Sequence, residues 1–556
     1  MRGSDAATPA MDGTRRGLPS GIAGVWTTAL ATLAVLAMLA ALLWIVAVNA
    51  FGWFWPARVT ELNLADGSTR IGIVVAREER PVETGEERAV KHRIQLKTGN
   101  RELTGADFSW VDESEIASRS TPGDLVRVVR TEYGDAFGRI TAAVAADGHS
   151  LDATSEAEIG EFLEQGDQWR RERKRLEKER EHLRRPLSEL EERLDMAERS
   201  ARAETPDGLA RRAELEAAVE RTANQLSQQL DALQVEIDDL GRLTREARLV
   251  LSSGAEAIEM PLGNVLEVRW PNRPGFARRA AQAVREGVLF LFTEPREANT
   301  EGGIFPALFG TVLLVLLMSV AVVPLGVVTA VYMTEYARPG ILLRLANQAV
   351  NNLAGVPSIV FGMFGLAFFV YEVGGAVDTA FFADRLPTPT FGTGGLLWAS
   401  LTLAIMTVPV VVVATREGLM AVPQSWRDGS LALGATRWQT LKRIILPASM
   451  PGILTGLILA VSRAAGEVAP LMLTGAVKLA PSLPVDGVPP FLHLQRKFMH
   501  LGFHIYDVSM QSPNVEAAKP MAFATTLVLL ALVVLLNLTA IIVRRRLRRA
   551  YRGQVV

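Results

Sequence analysis

The sequence predicts an all-α polytopic membrane protein with six transmembrane helices and a large extracytoplasmic insert between the first two. Two observations carry this prediction. Long apolar runs hold almost no charge, whereas the stretch between the first and second runs holds most of the Lys, Arg, Asp and Glu. The composition, 49% hydrophobic and 21% charged over 556 residues, is therefore an average over two kinds of segment, one suited to a membrane and one suited to water.

Composition also excludes several function classes. A formal net charge of −1 offers no basic surface for nucleic acid, so no nucleic-acid partner is expected. The chain has no Cys, which rules out disulfides, thiolate nucleophiles and thiolate metal sites. Its six His show no metal-ligand spacing, so we expect no metal site.

The first apolar run, 22–48, contains no charged residue and exceeds the roughly 20 residues that a helix needs to cross a bilayer. It follows a tail, 1–21, that carries Arg15 and Arg16. The run is followed by the aromatic residues Phe51, Trp53, Phe54 and Trp55. This aromatic end is typical of an interfacial belt, and it favours an uncleaved anchor over a signal peptide.

Five further runs lie at about 304–334, 350–371, 394–415, 450–475 and 521–543. Together they define a membrane core of five transmembrane helices over 304–545. Pro and Gly within the runs, such as Pro324, are tolerated in membrane bundles and unusual in soluble helices. A soluble helical core is therefore a poor alternative.

Orientation follows from the connecting segments, because Lys and Arg collect on the cytoplasmic side. The last run leads into Arg544, Arg545 and a tail, 546–556, that is basic and has no acidic residue. The loop at 416–449 is also basic. We therefore predict that both termini are cytoplasmic, that the chain is a multi-pass protein of the bacterial inner membrane in contact with lipid, and that the insert, 49–303, is outside.

The insert has two sequence patterns. Short β-like stretches and turn pairs at 66–67 and 99–100 predict a β-rich part over about 57–150 and 248–270. Between them, about 155–247, apolar residues recur every seven residues and predict an antiparallel coiled-coil hairpin with its tip near 207. The hairpin is either a solvated structural arm or a docking arm, and the sequence does not separate the two.

The loop between the fourth and fifth runs carries a spaced motif. Its members are Asp428, Gly429, Ser430, Gly434, Ile444, Leu446 and Pro447. We expect two short helices, with Ser425 capping the first, Gly434 in a left-handed turn and Thr436 capping the second. The loop is also rich in large apolar residues, namely Trp426, Leu431, Leu433 and Trp438. Such side chains need either a membrane surface or a groove on another protein.

This spacing resembles the signature loop of ABC importer permeases, in which Glu-Ala-Ala is followed after three residues by Gly and after nine more by Ile-x-Leu-Pro. Here an acid and two small residues, Asp428-Gly429-Ser430, replace the first three letters. The resemblance implies the type I permease fold and favours the groove of an ATPase subunit as the binding partner of 425–447. No Gly-rich loop ending in Gly-Lys-Ser or Gly-Lys-Thr occurs, so we expect no enzymatic activity in this chain, with ATP and Mg bound by the partner.

The fifth run contains two charges, Arg463 and Glu467. Spaced four apart, they are expected to share a helical face and to pair. Charges inside a span are costly and mark substrate paths, and the planar fork of Arg suits phosphate oxygens. A packing salt bridge between helices is the alternative.

Three stretches, 351–362, 433–438 and 463–470, resemble the phosphate-importer permease family known as PstA. The segment before the second run, 302–311, is similar to the same family, and 99–101 with 107–110 resembles its extended form. This resemblance implies a heterodimer with a PstC-type permease, two ATP-binding subunits, a periplasmic phosphate-binding protein and phosphate as the substrate, which Arg463 would meet.

Two other functions stay open. Permeases for sulfate or molybdate share the loop motif but should lack the amino-acid sequences found here at 351–362 and 463–470. A membrane sensor or scaffold would use the coiled-coil insert, but it leaves the motif from Gly434 to Pro447 unexplained.

Overall fold

The computed structural model describes residues 20–84, 87–100, 105–151, 156–199, 205–254, 256–296, 299, 301–487, 489–512 and 515–552. Outside this part lie Arg15 and Arg16, on which the predicted orientation partly rests, Arg101 of the stretch 99–101, and the last four residues of the basic tail.

In the part of the chain that the structure describes, six helices are long and apolar enough to cross a bilayer, as predicted. In chain order these spans 1 to 6 are Gly24–Phe54, Phe305–Tyr336, Ser358–Phe381, Leu396–Met420, Arg437–Gly466 and Ala518–Arg546. Each span contains a stretch of 18 residues in which two or fewer are Asp, Glu, Lys or Arg. Spans 2, 3 and 5 each include a π-helical stretch, at Tyr332–Tyr336, Gly365–Gly374 and Leu441–Ile445.

Two predicted boundaries are wrong, and proline accounts for both. The run 350–371 was expected to be one helix, but a separate helix ends at Leu353 and span 3 begins only after Pro357. The run 450–475 divides at Gly466, because a continued helix would place the ring of Pro470 against the Gly466 carbonyl. A short helix, Ala469–Thr474, follows.

The chain is not all-α, because the insert contains extensive sheet built from alternating apolar residues. The strands β1 to β11 are Thr60–Leu64, Thr69–Thr84, Glu87–Lys97, Phe108–Asp112, Ile116–Ser120, Val126–Arg130, Ala136–Val144, Ser150–Leu151, Arg248–Ser253, Glu256–Pro261 and Val265–Arg269. They form a five-stranded sheet, β4-β3-β2-β1-β5, and a six-stranded sheet, β10-β9-β7-β6-β11 with β8 on β7. A two-stranded ladder, Pro295–Arg296 with Glu301–Gly302, precedes span 2.

The second sheet is built from both sides of the helical insertion. Strand β7 precedes the two long helices, β9 follows them, and the strands pair antiparallel, with Ile140 opposite Leu251. Phe162 of the first long helix packs into the core of this sheet with Leu249. The helical pair is therefore an excursion from one β region, as the sequence indicated.

The two long helices, Glu156–Arg199 and Pro206–Glu246, pack against each other. Their antiparallel direction is shown by contacts between Arg180 and Gln234 and, nearer the tip, between Glu198 and Arg212. The second helix starts at Pro206, after Thr205, which accepts a hydrogen bond from the Gly208 amide and caps it. Residue 207, near which the tip was predicted, lies in the first turn of this helix, and 200–204 lie outside the described residues.

A charged cluster connects the β region to the start of span 2. Lys97 Nζ lies 3.2 Å from Asp135 Oδ2 and 3.1 Å from Glu301 Oε1. Arg127 Nη2 lies 2.8 Å from the same Asp135 oxygen. Burial alone would raise the pKa of Asp135, but Arg127 and Lys97 outweigh it and hold that pKa well below its usual range. Because Glu301 precedes span 2 by four residues, this cluster fixes the insert relative to the spans.

Span 4 is the most buried of the six and packs on spans 2 and 5. One cluster of buried side chains joins Met318, Leu403 and Ala460 from these three spans. Spans 4 and 5 approach so closely that a Cβ built on Gly452 would lie 2.6 Å from the Gly418 Cα atom. Glycine at this crossing therefore sets the distance between the two helices.

We expect Gly452→Ala to reduce the stability of the protein by about 1–3 kcal/mol, because the added methyl group forces spans 4 and 5 apart. The midpoint of thermal unfolding in detergent measures this effect. The control is Gly466→Ala on the same helix, where an added Cβ meets nothing within 4 Å. Equal midpoints for the two variants would contradict the close crossing.

Candidate functional site

The loop between spans 4 and 5 begins with a nine-residue helix, Gln424–Ala432. It ends in a Schellman motif: the Ala435 amide donates to the Ser430 carbonyl and the Gly434 amide donates to the Leu431 carbonyl. Gly434 has φ +83°, the left-handed conformation that the sequence predicted for it. The chain thereby turns sharply while the Ser430 and Leu431 carbonyls stay hydrogen-bonded.

The second helix starts at Arg437 with a capping box. The Gln439 amide donates to Thr436 Oγ1, and the Thr436 amide donates to Gln439 Oε1. The predicted cap at Thr436 is therefore confirmed. The predicted cap at Ser425 is wrong, because the first helix already starts at Gln424 after Pro423 and makes no side-chain cap bond.

Two side-chain contacts hold the loop against the spans, and sequence reasoning missed both. Ser430 Oγ and Thr440 Oγ1 are buried and 2.8 Å apart, which joins the first loop helix to the start of span 5. Arg427 Nη2 lies 2.9 Å from Glu335 Oε1 at the end of span 2 and donates to the Leu419 carbonyl of span 4. These contacts therefore attach the loop to spans 2, 4 and 5.

The apolar side chains of the loop point away from this support. Leu433, at the turn, is 91% exposed, and Trp426, Leu431 and Trp438 are also exposed. Among the described residues, the Asp428 carboxylate accepts a side-chain hydrogen bond only from Gln424, four positions before it. A fixed backbone that presents large apolar groups at its outermost point is suited to binding a complementary surface.

A groove of about 1310 Å³ lies between the loop and the membrane spans. Gly429, Ser430, Leu433, Ile444 and Pro447 line it, so most of the predicted loop motif shares one cavity. Leu446 is the first residue of the regular helix that continues span 5 to Gly466. The Ile-x-Leu-Pro part of the motif therefore belongs to span 5 itself.

Arg463 and Glu467 are brought together at the other end of span 5. Arg463 Nε lies 3.5 Å from Glu467 Oε1. The prediction that the two residues share a helix is wrong. Arg463 is in the last turn of the helix, whereas Glu467 follows the helix and has an extended backbone. The Arg463 side chain is 32% exposed, and its guanidinium makes no hydrogen bond to any residue that the structure describes.

Two of the stretches that resembled one family, 351–362 and 463–470, are neighbours in space. A Cβ built on Gly362 of span 3 would lie 2.7 Å from the Pro470 Cα atom. The short helix Ala469–Thr474 packs along the start of span 3. The break in span 5 is therefore braced by span 3, and the Arg463–Glu467 pair lies next to this contact.

We expect Gly434→Ala to loosen the loop, because an L residue at positive φ costs about 1–2 kcal/mol. Hydrogen exchange of the 434 and 435 amides should accelerate by about 5- to 30-fold. Gly429→Ala is the matched control, since both positions have open space for a Cβ and only Gly434 has positive φ. Equal exchange in the two variants would argue against the strained turn.

Comparison with known proteins places this geometry in a family. The model described as "Binding-protein-dependent transport system inner membrane component" matches residues 322–552. "Probable ABC transporter permease protein YqgI" of Bacillus subtilis is 31% identical over 256 residues, covering 45% of this chain and 81% of that protein. "Phosphate transport system permease protein PstA" of Yersinia pestis is 34% identical over 255 residues, covering 45% and 76%.

Other matches are shorter or weaker. "Phosphate transport system permease protein PstC" of Xylella fastidiosa is 33% identical over 214 residues, covering 36% of this chain and 65% of that protein. A solved bacterial ABC transporter for alginate aligns at a TM-score of 0.34 with 15% identity, covering 47% and 82%, and this likeness supports no further inference. The relatives from Bacillus subtilis and Yersinia pestis establish the family. The chain is a multi-pass membrane protein that belongs to the binding-protein-dependent transport system inner membrane components, the ABC transporter permeases.

Proposed function

We propose that this chain is the permease subunit of an ATP-driven importer of phosphate. The observation that carries the proposal is that span 5 begins in the exposed loop and carries Arg463 in its last turn. At 1.5 Å per residue, this helix extends about 40 Å between the two sites. One continuous element therefore connects a protein-binding surface to a charged pair, and the named relatives supply the substrate class.

Energy would come from a partner ATPase. Leu433 and Trp438 would enter a groove on that subunit, with Trp426 and Leu431 at its edge, because burial of such side chains is favourable in water. ATP and Mg would bind to the ATPase. Movement of the ATPase would pass through the Ser430–Thr440 and Arg427–Glu335 contacts into spans 5, 2 and 4.

The full importer would contain a PstC-type permease beside this chain, two ATP-binding subunits and a periplasmic phosphate-binding protein. Exposed apolar residues on the spans, such as Val320 and Phe368, would face that permease or lipid. The insert would be extracytoplasmic, and its β region would lie at the outer end of span 2 because the Lys97–Glu301 contact holds it there.

Phosphate would meet Arg463 near the outer end of span 5. The long contact to Glu467 leaves the donors of Arg463 available, and a bidentate anion fits the guanidinium better than a single carboxylate oxygen at 3.5 Å. Permeases of sulfate or molybdate importers are the main alternative, and uptake competition among the three oxyanions would separate them. A sensor or scaffold that used the helical pair would not need an exposed loop opposite a charged pair.

The proposed orientation is directly testable because the chain has no Cys. We expect an impermeant thiol reagent to label Asp207→Cys in intact cells and to label Arg546→Cys only after permeabilisation. Both side chains are exposed, so access to the reagent reflects the compartment. The reverse pattern would overturn the orientation.

Arg463→Gln should lower phosphate uptake by about 10- to 100-fold, because a charged hydrogen-bond donor is lost. Arg463→Lys should recover part of the rate, since Lys keeps the charge and loses the planar fork. Uptake by the reconstituted complex and co-purification of the ATPase are the measurements. The control is Arg385→Gln, since the Arg385 side chain lies over the Phe382 ring and makes no hydrogen bond or salt bridge to any described residue.

Wild-type uptake by Arg463→Gln would show that the Arg463–Glu467 pair is a packing contact. The permease assignment would then still stand on the loop and on the relatives. Loss of ATPase co-purification would show that the variant is misassembled, and the conservative Lys variant would then decide the role of the charge.

A further inference from the structure

The helix Ile341–Leu353 has no assigned role. It connects span 2 to span 3 through two links, 337–340 and 354–357, each of four residues. Four residues extend at most about 14 Å, so both ends of the helix are held close to the end of a span. The helix is therefore confined to one surface of the bilayer.

One side of this helix is already occupied by the protein. Leu343, Ala346 and Val350 pack against a buried cluster formed by the ends of spans 2, 4 and 5. Asn347 accepts a hydrogen bond from Arg416 of span 4. Bundle contacts therefore fix the rotation of the helix about its own axis.

That rotation leaves a second apolar side uncovered. Leu342 is 83% exposed, and Ile341 and Leu345 are exposed as well. At 3.6 residues per turn these three side chains lie on one side of the helix, next to the packed side. The remaining arc carries Arg344 and Asn351, which are exposed.

The flanking charges and aromatic residues identify what covers this side. Arg338 and Arg344 are exposed, and no Asp or Glu occurs from 336 to 371. Tyr332 and Tyr336, exposed at the end of span 2, are residues typical of the headgroup level. The cores of protein interfaces are depleted of charge, whereas a helix in a lipid interface combines an apolar side with flanking Arg.

We infer that Ile341–Leu353 is an interfacial helix that inserts Ile341, Leu342 and Leu345 among the acyl chains and binds anionic lipid headgroups through Arg338 and Arg344. The inference depends on the proposed orientation only for the leaflet, which would be the cytoplasmic one. The helix thereby fixes the depth of spans 2 and 3, between which it lies.

The test uses the purified complex in lipid nanodiscs, with a fluorescent thiol label on Leu342→Cys or, as control, on Asn351→Cys. We expect quenching by a lipid nitroxide placed near the headgroup end of the acyl chain to be about threefold stronger at 342 than at 351. Aqueous iodide should show the opposite preference. Neither measurement depends on phosphate transport, so failure of the proposed function would leave this test intact.

Two outcomes would overturn the inference. Equal iodide quenching at both positions would place Leu342 in water, and protection of Leu342 from both quenchers would show that another subunit covers it. A second comparison tests the headgroups: lipid quenching at 342 should rise with anionic lipid content, and Arg338→Gln with Arg344→Gln should remove that dependence. A response that is independent of lipid charge in the unsubstituted helix would refute the headgroup contact.

Discussion

The close crossing of spans 4 and 5 is the constraint on which the loop depends. With glycine at 418 and 452, the two helices approach to backbone contact two residues before span 4 ends and fifteen residues after span 5 begins. A side chain at either position would force apart the two helices that carry the loop. Two short helices, one left-handed glycine and one capping box join these two spans. The loop is thus part of the bundle rather than an appendage.

The sequence predicted turns and caps that depend on a few neighbouring residues, but it did not predict contacts between residues far apart in the chain. Gly434 and Thr436 act through neighbours within five positions, so their spacing alone indicated a turn and a cap. Arg427 and Glu335 are 92 positions apart, and no local pattern connects them. The error at Glu467 has a different origin: the four-residue spacing indicated a helix, but Pro470, three positions later, ends that helix first.

The insert shows the same division between local and distant information. Heptad spacing predicted the helical pair, and apolar positions such as Leu176 and Ile237 are buried as that spacing requires. Strands β7 and β9 pair although both long helices lie between them in the chain. In the sequence, this pairing was indicated only by the β-like segments on either side of the helical part. The charged cluster of Lys97, Asp135 and Glu301 was not indicated at all, because each residue appears in the sequence as an ordinary surface charge.

The position of the Arg463–Glu467 pair gives the proposed transport cycle a physical basis. Arg463 belongs to the rigid end of span 5, whereas Glu467 belongs to the extended segment beyond the break, which span 3 braces through Gly362 and Pro470. A movement of span 5 that started at the loop would therefore move one partner of the pair and leave the other in place. At 3.5 Å the contact is already longer than a strong charged hydrogen bond, so a small displacement would release the guanidinium. Had both residues shared one helix, as their spacing predicted, the same movement would have carried them together and left the pair unchanged. In the proposed function, the break at Gly466 would make the charge of Arg463 available in one position of span 5 and neutralised in another, which is the difference that alternating access to an anion requires.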